Sequence, residues 1–405
     1  MKKRSLLQSL LVGLLTITSI ALFMFERFTV NATPATETNG YYNINDYGAK
    51  ANDSDFDNAP IINKIIQTTG KQGGTIYIPT GTYYLKSSII IDRSYIAIVS
   101  DNSGLRSGID SETPTSQAGG GGAQLLANSG VTAVNIKSPS ADRLSGITLS
   151  GFQIKGTSNN SIGIKAETDN DGIKIKDMVI NNIGTAIELR GADAPSIQNN
   201  WIAETANCIK LSGSSQQAEI KNNSLGAQPH GVTLDLENAD RFNITANNIY
   251  PDGASAMRLY NPTHGVIASN TISSYYNGII ELLPNSSGVY GNSNIISGNV
   301  ISVESWHENP SGQDSAWGIV HIEGYANRID GNSIIANTAP ENYTGILIMR
   351  GDNNRLNANS IGIAAPSSNA KIVVNGSANH TKVTDSIYNN EFQNGNNSSN
   401  TNSPI

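Results

Sequence analysis

Through the second half of the chain an apolar-x-x-Asn-x-apolar pattern keeps returning. It reads Ile197…Asn200…Ile202, Ile220…Asn223…Leu225, Ile244…Asn247…Ile249 and Ile267…Asn270…Ile272, then Ile296…Asn299…Ile301, Ile329…Asn332…Ile334 and Leu356…Asn359…Ile361. The Asn-to-Asn steps are 23, 24, 23, 29, 33 and 27. The shorter steps match one turn of a parallel β-helix, and the longer ones mark loops inserted on individual turns. Few stretches carry a helical period, and short apolar runs between Gly and Asn favour short strands and turns. Stacked Asn side chains hydrogen-bond along such a ladder and tolerate left-handed turns.

Each repeat has a second apolar triplet: Ile187-Glu188-Leu189, Ile209-Lys210-Leu211, Val232-Thr233-Leu234, Met257-Arg258-Leu259, Ile280-Glu281-Leu282 and Val320-His321-Ile322. Strand alternation puts the middle residue of each outside. The expected result is an outward column of Glu188, Lys210, Thr233, Arg258, Glu281 and His321, suited to sugar binding, a subunit contact or plain solubility.

Ahead of the repeats, Ile61, Ile62, Ile65 and Ile66 share one face of a short helix, expected near residues 56–68. The order Asp46-Tyr47-Gly48-Ala49, helix, Gly73-Gly74-Thr75-Ile76-Tyr77-Ile78-Pro79, Gly81-Thr82-Tyr83 resembles the N-terminal cap of pectate-lyase-like right-handed β-helices. An amphipathic helix there covers the open end of the coil. The fold expected is therefore all-β: a single-stranded right-handed parallel β-helix with an N-terminal capping helix, spanning 33–388 as one domain. Lys2, Lys3 and Arg4, the uncharged run Leu6 to Phe25, and Val30-Asn31-Ala32 read as a signal peptide over 1–32 cleaved after Ala32. That makes the protein secreted; an uncleaved membrane anchor is the alternative. Residues 389–405, rich in Asn, Ser and Thr, read as a disordered polar tail.

The 405 residues carry a net charge of −7, which argues against a nucleic-acid partner. The one cysteine, Cys208, excludes an intramolecular disulfide and reads as a buried small hydrophobe. No His/Cys cluster has metal-ligand spacing, and no phosphate-cradling motif is present, so neither a metal nor a cofactor is expected.

Candidate chemistry centres on Arg190 to Leu211, about one turn of the coil. Asp193 and Glu204 fall outside its apolar spacing and should project outward, held by Ile197 and Ile202 in rigid mutual geometry on one rung. Paired carboxylates suit acid/base work on a glycosidic bond; two solvated loop acids are the bland alternative. Arg143-Leu144-Ser145-Gly146-Ile147, Asp169-Asn170-Asp171, Arg190-Gly191-Ala192-Asp193-Ala194, Ile202-Ala203-Glu204, Asn207-Cys208, Gly231-Val232-Thr233-Leu234, Glu237-Asn238 and Gly318-Ile319-Val320-His321-Ile322 occur in one order. Together, over roughly residues 140–385, they resemble the inulin fructotransferases and difructose-anhydride hydrolases of glycoside hydrolase family 91. The resemblance implies a homotrimer with active sites near subunit interfaces, and a catalytic Asp and Glu that fall on Asp193 and Glu204. One departure is Pro229-His230-Gly231, where the family pattern is expected to read Pro-Asp-Gly.

The activity so implied is release of a cyclic difructose anhydride, type I or type III, from the end of a β-2,1-fructan such as inulin. A hydroxyl of the neighbouring fructose attacks through an oxocarbenium-like state. Glu204 is assigned as acid/base and Asp193 as the carboxylate that stabilises positive charge and orients the sugar. Arg190, Asn200, Trp201, His230, Glu237, Arg258, Glu281 and His321 are substrate-binding candidates. Hydrolysis of difructose anhydride at the same site is the alternative. A pectate-lyase-like polysaccharide lyase and a non-catalytic surface β-helix are more remote.

Overall fold

The computed structural model describes residues 40–104, 122–167, 169–304, 314–364 and 369–385, together with the backbone of 392–393 and 399–400. The expected signal peptide lies outside the described residues. Each turn of the chain visits four stations in one order. Face 1 is a 14-stranded parallel sheet running from Tyr41–Asn43 through Lys174–Lys176, Ser196–Gln198 and Glu219–Lys221 to Ser399–Asn400. Face 2 takes Val179–Asn181 and the first residues of Trp201–Ser212 and Ser224–Glu237. Face 3 takes Thr185–Arg190, the remainder of those two long strands, Ser255–Tyr260 and Ile280–Leu283. Faces 2 and 3 merge into one 22-stranded sheet, since the two long strands cross the edge between them unbroken. A narrow strip closes the turn. Leu144–Ser145, Asn170–Asp171 and Ala192–Asp193 pair there, and single bridges extend it from Asp193 to Gln216, Asp240, Thr263 and Asn292.

Inward residues fuse into one apolar core along the described length, from Ile44 to Val383. The helix expected near 56–68 is α1 (Ala59–Thr68), which opens on Pro60 and buries Ile62, Ile65 and Ile66 over the first turn. Cys208 is buried, and burial pushes its thiol up to about 12, which leaves it unreactive.

The Asn ladder is continuous. Asn200 Nδ2 donates to Asn223 Oδ1 and to Ile175 O, each at 3.0 Å. The same pattern climbs through Asn223, Asn247, Asn270, Asn299, Asn332 and Asn359, and the last amide donates to Asp385. The left-handed residue is not the ladder Asn itself but the one before it: Asn199, Asn222, Ala246, Ser269, Gly298, Gly331 and Ala358 have positive φ. A one-residue left-handed corner swings the chain from face 1 to face 2, and the Asn amide then satisfies backbone groups that the corner strips from the sheet ladder. A second, shorter ladder of Asn294, Asn327 and Asn354 stacks beside it on later turns. In Asn247→Ala, Ile220 O loses its side-chain donor and Asn223 loses an acceptor for both its N–H and its side-chain amide. Each orphaned buried group costs about 1–3 kcal/mol, so urea unfolding should show a loss of about 3 kcal/mol or more.

One expectation is corrected. Thr233 is not in the outward column. Its side chain is buried, and its hydroxyl accepts from Ala227 N. The register runs Glu188, Lys210, Asp235, Arg258, Glu281, His321, so Asp235 takes the place given to Thr233. The edge between faces 2 and 3 turns two successive residues inward, Cys208 with Ile209 and Thr233 with Leu234, before alternation resumes. The tail also contributes two strands: Phe392–Gln393 extends the merged sheet and Ser399–Asn400 extends face 1.

Candidate active site

Asp193 stands on the strip beside an open depression that also takes in Arg143, Asp169, Arg190 and Gln216. Arg143 Nη2 donates to Asp193 Oδ2 at 2.7 Å, and its Nε lies 3.5 Å from Asp169 Oδ1. The hydrogen bond to Asp193 raises the Arg143 guanidinium further above its ordinary value. A clamped carboxylate beside an exposed Arg190 suits the orientation of a hydroxyl-rich ligand and the stabilisation of positive charge.

Glu204 stands at the edge between faces 2 and 3. The strand is irregular here, with register shifts between Ala203 and Thr205 and again before Asn207. Glu204 itself is left-handed at φ 54°. Later turns pass the same edge with Gly253, Gly278 and Gly318 at positive φ; Glu204 and His230 take a positive φ there with full side chains. A bulge of this kind re-aims a side chain, and a strained non-glycine residue is a functional hint. Glu204 lines a depression with Trp201, Gln228, Tyr250 and Asp252, and Gln228 Nε2 donates to Glu204 Oε2 at 3.3 Å.

The two carboxylates line separate depressions. Asp193 pairs with Gln216 one turn on. Glu204 is 204 − 193 = 11 residues after the first and 216 − 204 = 12 before the second. It sits at the other border of face 3 from the strip, in a depression of its own. Both acids are expected on one rung and both are carried by it, Asp193 at the strip and Glu204 at the edge between faces 2 and 3.

The binding candidates sort by station. Arg190 lies on the Asp193 side, as does Glu237, at the strip end of its strand. Trp201 lines the Glu204 depression, and His230 is exposed one turn further along the same edge. Asn200 is corrected: it is buried, with its amide engaged by Ile175, Asn223 and Met178, and has nothing left for a sugar. Glu281 and His321 are buried on face 3 beneath Trp317, and Arg258 is tied to Glu281 at 2.9 Å. Residues overlooked in the sequence include Tyr250 and Asp252. The latter carried a signal: the Pro-Asp-Gly expected at 229–231 occurs one turn later as Pro251-Asp252-Gly253. No cluster of three or more metal-ligating side chains occurs among the described residues.

Coil, cap helix and ladder define a right-handed parallel β-helix with one carboxylate in each of two depressions. Comparison with known proteins narrows this. The model for the β-helix repeat of inulin fructotransferase matches residues 293–404. One for rhamnogalacturonase A/epimerase, pectate lyase-like, matches 41–107, and one for the periplasmic copper-binding protein NosD matches 127–326. The DFA-I-forming inulin fructotransferase of Arthrobacter globiformis is 30% identical over 388 residues, covering 87% of this chain and 96% of that protein. The chain belongs to the inulin fructotransferase family. Its fold is shared with DFA-IIIase from Arthrobacter chlorophenolicus A6. The complex with GF2 superposes with a TM-score of 0.81 at 23% identity, covering 91% of this chain and 99% of that one. The complex of the same enzyme with DFA-III gives 0.79 at 22%, covering 91% and 99%.

Proposed function

We propose that the protein converts β-2,1-fructan to a cyclic difructose anhydride, in clefts that two neighbouring protomers of a homotrimer build together. The observation that carries the reading is the half-turn between Asp193 and Glu204. Acid/base catalysis needs its groups within hydrogen-bond reach of one glycosidic bond, and within one chain the two acids line separate depressions. The strip of one protomer laid along the Glu204 edge of the next joins them. A closed head-to-tail ring gives every protomer the same two contacts, one at its strip and one at its Glu204 edge. Face 2 supports such packing. From Trp201 to Gly362 its paired outward residues are uncharged and mostly small: Ser224, Gly226, Thr271, Ser273, Ser302, Ser333 and Ser360 among them, with Val300 and Ile335 exposed. The lack of charge suits a contact, because charged residues are depleted at the core of protein interfaces.

In the shared cleft Glu204 gives a proton to the leaving oxygen as the bond to the rest of the chain breaks. It takes one back from the attacking hydroxyl of the adjoining fructose as the new carbon–oxygen bond closes the anhydride. Asp193, clamped by Arg143, faces the oxocarbenium-like carbon. Intramolecular attack wins over hydrolysis where water is kept out, and a cleft between protomers does this. Trp201 and His230 from one protomer flank the bond opposite Arg190 and Glu237 from the other. The activity of the Arthrobacter globiformis relative supports the transferase over the hydrolase.

Incubation with inulin followed by chromatography tests the reading. A difructose anhydride of type I or type III is expected, and free fructose as sole product would sink it. Sedimentation should give a trimer, and a stable monomer at micromolar concentration counts against the shared cleft. Glu237→Gln is expected to raise KM more than it lowers kcat, as for a group that contacts a second sugar.

A further inference from the structure

Aromatic side chains recur along the edge between faces 2 and 3, well beyond Glu204. Trp201 and Tyr250 line the Glu204 depression. The Tyr250 hydroxyl lies 3.0 Å from Glu304 Oε2, and hydrogen bonds with Tyr275 and Glu304 push its phenol up to about 12. Tyr276 sets its hydroxyl against Gly253, where a Cβ would lie 3.3 Å from it. A turn later comes Trp317, on the wall of a second open depression of about 400 Å³ shared with Asn342, Met349 and Asn375. Lys210, Asp235, Arg258, Glu281 and His321 are in register on successive turns. Trp317 is thus four turns from Glu204, or about 19 Å at roughly 4.8 Å per strand spacing.

Trp317 is mounted rigidly. Its ring stacks on His321 with centroids 3.8 Å apart and planes at 12°. Its Nε1 donates to Glu281 Oε1 at 2.7 Å, and Arg258 holds the other Glu281 oxygen. His321 and Glu281 are both fully buried, so two buried polar side chains on face 3 hold one half-exposed ring in place. Buried polar groups held this firmly fix a position, and a ring fixed beforehand loses little entropy when a ligand stacks on it.

The charges along the edge select the ligand. Among the described residues from Glu204 to Thr344 the turns at this edge carry Glu204, Asp252, Glu304, Asp314 and Glu341 but no Lys or Arg. Such a track repels an anionic polymer and offers acceptors to the hydroxyls of a neutral one.

We propose that this edge carries the fructan chain beyond the two reacting residues, with Trp317 as its distal platform. This rests on the fructan reading above. The test compares kcat and KM for wild type, Trp317→Ala and Trp317→Phe on a fructosyl trisaccharide and on long-chain inulin. Trp317→Ala is expected to raise KM for long inulin about tenfold while leaving kcat/KM for the trisaccharide unchanged, and Trp317→Phe to recover most of the loss. Equal effects on both substrates, or none on either, overturn the distal platform and leave the fructan reading standing. A wild type inactive on both overturns the fructan reading, and this proposal with it. Should Trp317→Ala fail to fold, Met349→Ala on the facing wall must give the same split between substrates; an equal effect there overturns the proposal too.

Discussion

Co-expressed Asp193→Asn and Glu204→Gln chains, each inactive alone, are expected to regain activity together. In the proposed cleft Asp193 comes from one protomer and Glu204 from the next. In a random equal mixture each partner is the right one half of the time, so about one quarter of the clefts in a closed head-to-tail ring hold both intact acids. Turnover on inulin should therefore return to about a quarter of wild type, against a background from either variant alone lower by about 10²–10⁴-fold. A site built within one chain gives no recovery, since every chain then lacks one acid. Absence of recovery in mixed trimers whose composition is verified by mass spectrometry would show that the two carboxylates do not share a cleft.

The second large effect separates strain from chemistry at Glu204. Glu204→Gln keeps the size, removes the proton and should lower kcat by about 10²–10⁴-fold. Glu204→Gly should be as inactive, yet no less stable. A left-handed conformation costs a residue with a Cβ on the order of 1 kcal/mol, and three later turns of the same edge already place Gly at positive φ. Thermal unfolding of Glu204→Gly is expected at or above the wild-type temperature, with the oligomer intact. A clear drop would mean that the side chain, through Gln228 or the partner, holds the edge together, and that its odd backbone has a structural cause.

Where the sequence was readable and where it was not follows from the coil. The Asn ladder was legible because one residue type recurs at a spacing only one turn length explains. The second ladder escaped, although Asn294, Asn327 and Asn354 each precede a first-ladder Asn by five residues, because three members on the last turns make a short series. Thr233 was misread because alternation fails at the edge, where two consecutive residues point inward. The placement of Asp193 and Glu204 on different stations was in the sequence all along: eleven residues is half of a 23-residue turn, so the two do not stand side by side. The depressions around the two acids come from side chains on neighbouring turns, such as Arg143, Gln228 and Asp252, which meet only when the coil closes.

The Asn ladder also has a direction. In every step the amide nitrogen donates to the oxygen one turn nearer the C-terminus. Strand dipoles in a sheet largely cancel, but these side-chain dipoles add head to tail and leave the column positive at its C-terminal end. The residue found there is Asp385, buried and in contact with Asn359. A carboxylate complements that end, and it accepts hydrogen bonds without offering one onward. A turn follows it all the same, since Ser399–Asn400 pairs with Lys382–Val383 on face 1, so the carboxylate ends the amide ladder without ending the coil.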